Sequence, residues 1–198
     1  MKSLRSILLA AFACVTVASV HATTVVAPTF DELVDRAQLI FEGTVTDVQS
    51  QWAGEGGQRH IVSYVTFKIA DGLKGDAGAS YTLRMLGGTV GDDTMEISDS
   101  PKFKVGDRNI LFVENNGTQF IPLVGIMHGR FGVQKEQQSG VDVVLNHEGR
   151  AISDVATLGR DEHGHRHVTE HSAVTKDSNL PALSDAGFKA AIRARLAE

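Results

Sequence analysis

Four histidines within nine residues form the densest concentration of reactive side chains in this 198-residue chain. The run is Asp161-Glu162-His163-Gly164-His165-Arg166-His167-Val168-Thr169-Glu170-His171. An extended backbone puts His163, His165 and His167 on one side, whereas a helix stacks His163, His167 and His171 a turn apart. Either arrangement brings several imidazoles to Zn²⁺, Cu²⁺ or Ni²⁺, with Glu162 or Glu170 adding an oxygen. Gly164 disfavours the helical version. The same run also reads as a solvated linker that takes up metal only adventitiously, because no closed four-ligand spacing is visible. His60, His128 and His147 are isolated in sequence and read as strand or loop residues.

Other reactive arrangements are missing. The chain has no Gly-x-Ser-x-Gly elbow, no His-Glu-x-x-His, and a single cysteine, Cys14. Gly54-Glu55-Gly56-Gly57 and Gly87-Gly88-Thr89-Val90-Gly91-Asp92-Asp93 do not lead into Gly-Lys-Ser/Thr and read as mobile loops. Asp92, Asp93, Glu96 and Asp99 lack the spacing of a calcium loop. The expectation is therefore no enzyme and no built-in cofactor. Zn or Cu at the histidine tract is the one exception to test.

The first 22 residues explain where such a chain would work. Lys2 and Arg5 precede an apolar and small-residue run from Ile7 to Val20, and Val20-His21-Ala22 ends on a small residue. That is the layout of a secretory signal peptide cut after Ala22. Cleavage removes Cys14, so the remaining 176 residues contain no disulfide, and loss of Lys2 and Arg5 takes the formal charge from −5 to −7. Ala11-Phe12-Ala13 before Cys14 suits a lipid-attachment site poorly, since a branched aliphatic and a small residue belong at the first two positions. An acidic chain without Lys/Arg runs argues against nucleic acid or an anionic membrane as partner. The expected location is the periplasm or the extracellular medium, with a secreted protein as the kind of partner to look for.

A core must then be built from hydrophobic elements alone. Leu39–Val48, Ile61–Ile69, Tyr81–Leu86 and Arg108–Glu114 carry strand patterning, and Gln119–Leu123 follows across Asn115-Asn116-Gly117-Thr118 as a hairpin. A second hairpin joins Arg130–Val133 to Val141–Leu145. Thr29 and Glu32 make a capping box for a short helix with Phe30, Leu33, Val34 and Ala37 on one face. Ser184-Asp185 caps a terminal helix with Phe188, Ile192 and Leu196 on its face. The domain reading is signal peptide 1–22, β domain with added hairpin 23–149, polar His-rich linker 150–183 and amphipathic helix 184–198. The expected interior is Phe41, Val45, Val65, Phe67, Leu83, Ile110, Phe112 and Phe120.

Helix, long strand, wide polar loop, long strand, Leu73-Lys74-Gly75 and a third strand form an order that resembles a known module. It is similar to the amino-terminal domain of the tissue inhibitors of metalloproteinases and to the wider netrin-like group. The resemblance rests on Phe30–Ala37, Leu39–Val48, Tyr64–Ile69 with Gly72–Gly75, and Phe103–Phe112 with the Asn-Gly turn behind it. It covers about Thr23 to Phe131. What it implies is a mainly β, OB-like five-stranded antiparallel barrel with a short leading helix, here extended by a C-terminal β-hairpin and a terminal helix. It further implies an inhibitory terminus, in which the amine and carbonyl of Thr23 chelate a protease zinc and the Thr24 side chain enters the specificity pocket. Those inhibitors are stapled by disulfides, and this mature chain has none.

Overall fold

The computed structural model describes residues 26–137, 139–159 and 181–198. The capping box forms as the sequence predicts. The Thr29 hydroxyl accepts from the Glu32 amide and the Glu32 carboxylate accepts from the Thr29 amide, opening α1 (Phe30–Arg36). Lys74 Nζ donates to the Val34 carbonyl at 2.7 Å and closes its far end.

Among the described residues eight strands follow, β1 (Leu39–Ala53), β2 (His60–Lys74), β3 (Ser80–Leu86), β4 (Gly88–Val90), β5 (Asp93–Met95), β6 (Arg108–Val113), β7 (Arg130–Lys135) and β8 (Asp142–Leu145), before α2 (Asp185–Leu196). Six make one antiparallel sheet in the order β3-β2-β1-β6-β7-β8, and β4-β5 form a separate hairpin. The protein is mainly β. No ladder closes a barrel among the described residues.

The expected strand Gln119–Leu123 is the reason. The chain reverses at Asn115 (φ 54°) and Gly117 (φ 93°), with Thr118 and Gln119 amides both donating to the Asn115 carbonyl. The returning run makes only the isolated bridge Val113↔Leu123, and Pro122 within it has no N–H to offer a ladder. It instead patches the edge of β3: the Arg84 amide donates to Asn116 Oδ1 and the Leu86 amide to the Phe120 carbonyl. Phe120 is consequently 70% exposed, not interior. The other sheet edge is covered too. The Val144 amide donates to the Leu183 carbonyl and the Ile152 amide to the Val144 carbonyl, so Ala151, Ile152 and Leu183, expected as linker, are joined to β8. The expected linker residues 160–180 lie outside the described residues.

The sheet has a core on each face. Leu39, Phe41, Val45, Val65, Phe67, Leu83, Leu111 and Val113 bury one face. Ile40, Ile110, Phe112, Phe131 and Val144 bury the other, against Phe30 of α1 and Phe188 and Ile192 of α2. Ile110 and Phe112 thus belong to a different core from Phe41, because side chains alternate along β6. Leu196, expected on the packed face of α2, is 39% exposed.

The most deeply buried charge among the described residues lies on the helix side. Glu42 is 3% exposed and is held by Arg108 at 2.7 Å and Lys189 of α2 at 2.5 Å. Arg108 also meets Asp142, and Lys189 meets Asp185, each at 2.8 Å. Burial pushes the Glu42 carboxyl up, but the hydrogen bonds from Lys189 and Arg108 outweigh it and hold it below the ordinary value. A lowered folded-state value means that this contribution to stability is complete above the ordinary carboxylate range and is lost as pH falls through it.

Two outcomes follow for urea denaturation. Phe67→Ala should cost about 3–5 kcal/mol, because the side chain is fully buried, and Phe120→Ala less than about 1 kcal/mol. Glu42→Gln should be destabilising at neutral pH by about 1–3 kcal/mol, with a shallower loss of stability between neutral and acid pH than wild type.

Candidate binding groove

Three register shifts interrupt the β1–β2 ladder, between Ile40 and Phe41, Glu42 and Gly43, and Val45 and Asp47. Each adds a residue to one strand and sharpens the local twist. The last has a further effect. It places Val45 opposite Phe67 and Val48 opposite Val65, so the inward-facing series along β1 changes parity. Beyond it, Ser50 and Ser63 are direct partners, with their hydroxyl oxygens 2.8 Å apart. Ser63 Oγ donates to the Gly87 carbonyl at 2.6 Å.

The β4–β5 hairpin lies over these serines. Gly88 has φ 136°, and a Cβ there would come within 2.2 Å of Ser63 Oγ and 2.4 Å of Ser50 Oγ. Only glycine lets the backbone approach so closely. The hairpin and the segment after it leave a groove of about 290 Å³, bordered by Val48, Val65, Met85, Met95, Ile97 and Phe103. Phe103 is fixed edge-on to Phe67, 5.4 Å between ring centres, with the Arg130 guanidinium 4.7 Å above its ring. Lys102 stands at the rim and pairs with Glu96 at 2.9 Å, both well exposed. Val48 at its border is 38% exposed.

Chemically, the groove offers desolvation, a few neutral hydroxyls and one cation. Its size is at the low end of small-molecule sites, about 300 Å³ and upward. Among the described residues no group of three or more His, Cys, Asp or Glu could hold a metal ion. No helix among them is long and apolar enough to cross a membrane.

Thr23, Thr24, His163, His165, His167 and His171 lie outside the described residues. Asp92 and Asp93 are not in a mobile loop but at the turn and start of the β4–β5 hairpin. Its signal was present as Gly91-Asp92 between Thr89-Val90 and Asp93-Thr94-Met95, a two-residue turn pattern. His128 and His147, isolated in sequence, are brought into ring contact with centres 4.6 Å apart, because the turn before β7 and the turn after β8 lie side by side. His60 caps the far end of the β1–β2 ribbon, its Nδ1 2.8 Å from the Gln58 carbonyl. Comparison with protein-family models, with curated proteins and with solved structures returned no match.

Gly88→Ala should lower stability by roughly 1–3 kcal/mol through positive φ and the serine contacts. Gly88→Ala combined with Ser63→Ala and Ser50→Ala should recover the steric part alone. Urea midpoints of the single and triple variants check this.

Proposed function

We propose that this chain is an exported binding module that holds an apolar side chain or a small amphipathic molecule in the groove beneath β4–β5. The supporting observation is the groove's make-up: an apolar floor of Val65, Met85 and Phe103, paired serine hydroxyls and a rim lysine. Such a surface supplies burial and orientation rather than proton transfer. The finer, OB-like reading is supported by the strand order around β1. It is also supported by the position of 115–123, which runs between β3 and β6 where a barrel's closing strand would lie.

The netrin-like form of this module, inhibition of secreted zinc proteases, draws support from the start of the described chain. Pro28 packs against Gly125 and the Thr29 cap fixes α1, and Val26, the first described residue, is 46% exposed. Cleavage after Ala22 would put a free amine on Thr23, three residues before that point, with Thr24 as the pocket residue. Fixing each residue of such a terminus on binding would cost about 1–2 kcal/mol.

The groove is tested by fluorescence titration with 8-anilinonaphthalene-1-sulfonate, an amphipathic aromatic anion. One saturable site per chain is expected, weakened about tenfold or more by Ile97→Arg. Absence of saturable binding, or equal binding by Ile97→Arg, would overturn the groove reading. For the inhibitory form, protein starting at Thr23 should inhibit at least one secreted zinc protease and lose that activity with one added amino-terminal Ala. Equal behaviour of the two proteins removes it.

A further inference from the structure

β1 lies inside the sheet over only part of its length. Its pairing with β6 runs from Leu39 to Thr44, and the Val45 amide and carbonyl are taken up by the Asp107 carbonyl and the Gly106 amide. From Asp47 to Ala53 its strand partner is β2 alone. Among the described residues no strand pairs with the opposite edge of this stretch, since β4 pairs with β5.

The direction of each backbone group follows from β2. The Gly87 amide donates to the Ile61 carbonyl and the Ile69 amide to the Ala79 carbonyl, so Ile61, Ser63 and Val65 bond toward β3. Their partners on β1 are Trp52, Ser50 and Val48, which therefore form non-hydrogen-bonded pairs with β2. The amides and carbonyls of Val48, Ser50 and Trp52 consequently point away from β2, along the open edge. Such edges are normally blunted by a lysine, a proline or a covering segment. Residues 48–53, Val-Gln-Ser-Gln-Trp-Ala, carry neither charge nor proline. Val48 and Trp52 are each 38% exposed. The Arg59 guanidinium lies 4.4 Å from the Trp52 ring centre and holds that ring in place, which lowers the ordering cost of a contact made there.

This stretch matches a second copy of itself. In antiparallel pairing about a two-fold axis at Ser50, each Val48 faces the partner's Trp52, each Gln49 faces the partner's Gln51, and the two Ser50 residues face each other. The outward amides and carbonyls of 48, 50 and 52 in one copy then meet those of the other. Aromatic against β-branched is a favourable cross-strand pair, and both apolar positions find one at once. Asp47, the nearest acid, faces the partner's Ala53, so no like charges meet. An unrelated extended peptide would satisfy the same backbone groups, but the symmetric placing of Val48 and Trp52 about Ser50 favours a copy of this chain.

We propose that residues 48–52 form an interface between two copies of this chain, paired antiparallel about Ser50 into one continuous sheet. The interface stands independently of the groove reading.

The test is sedimentation equilibrium of the full chain from about 1 µM to about 1 mM, the range in which so small an interface should dissociate. Trp52 is the only tryptophan, so its emission should shift to the blue as dimer forms. Val48→Glu and Trp52→Lys each enter a homodimer twice, and each should raise the dissociation constant about tenfold or more. Mixed in equal amounts, the two proteins should associate to within about threefold of wild type, because the new carboxylate and ammonium then face each other. Both positions are exposed, so both variants should melt close to wild type by circular dichroism. A monomer at every concentration overturns the proposal, as does a dimer that leaves Trp52 emission unchanged. So does a dimer that neither substitution weakens, or a mixture that associates no better than its components.

Discussion

A sheet that must bury apolar side chains on both faces, in a chain whose single cysteine cannot form an internal disulfide, can do so only by bending around one core while helices cover the other. The β1–β2 pair supplies the bend. Its three register shifts fall within the first nine residues of β1, the first two where the strand is buried on both sides and the third where Thr46 reaches solvent. Because each shift coils the pair, Phe41 and Val45 meet Val65, Phe67 and Leu83 on the inner face, while Ile40 and Glu42 are turned toward α1 and α2. The third shift then reverses the parity of β1 and hands its outer half, with Val48 and Ser50, to the groove. Scaffold and candidate surface are consequently two consecutive stretches of one strand pair.

What replaces disulfides at the chain's end is a combination of ring packing and charge. Phe188 lies 4.9 Å from Phe131 and 5.9 Å from Phe30 between ring centres, which joins α2 to β7 and α1 at once. Around it Lys189 reaches Glu42, Arg193 grips Asp71 through both carboxylate oxygens, and Arg195 reaches Asp35. The exposed pairs add little individually. Glu42 differs, because an unpaired carboxylate at that depth would be costly, and its partners come from β6 and α2 together. It therefore ties the position of the terminal helix to the centre of the sheet.

The sequence was legible where local chemistry decides. Thr29 with Glu32 and Ser184 with Gly187 cap helices where the pattern put them, and the alternation of Val65, Phe67 and Leu83 marked a buried face. It was misleading at Gln119–Leu123, where strand-forming residues are interrupted by Pro122 and the return became an edge patch with Phe120 outside. It was silent on tertiary coincidences. Nothing local to Ser50, Ser63 and Gly88 announces that they touch, since the contact depends on a bulge elsewhere in β1. Nor does the spacing of His128 and His147 announce a ring pair, because β7 and β8 set it. Nothing local to Glu42 marks its role either, and only its partners Arg108 and Lys189 identify it.

The division of β1–β2 into a rigid root and an open ribbon is measured most directly by native-state hydrogen exchange resolved to single amides. Amides of Ile40 to Val45 should exchange only through global unfolding, with opening free energies equal to the stability from denaturation. Amides of Val48 to Ala53 should open locally at clearly lower free energy, and a saturating ligand of the groove should raise their protection without changing that of the root. Uniform protection along β1 would contradict the division, as would greater protection in Val48 to Ala53 than in the root.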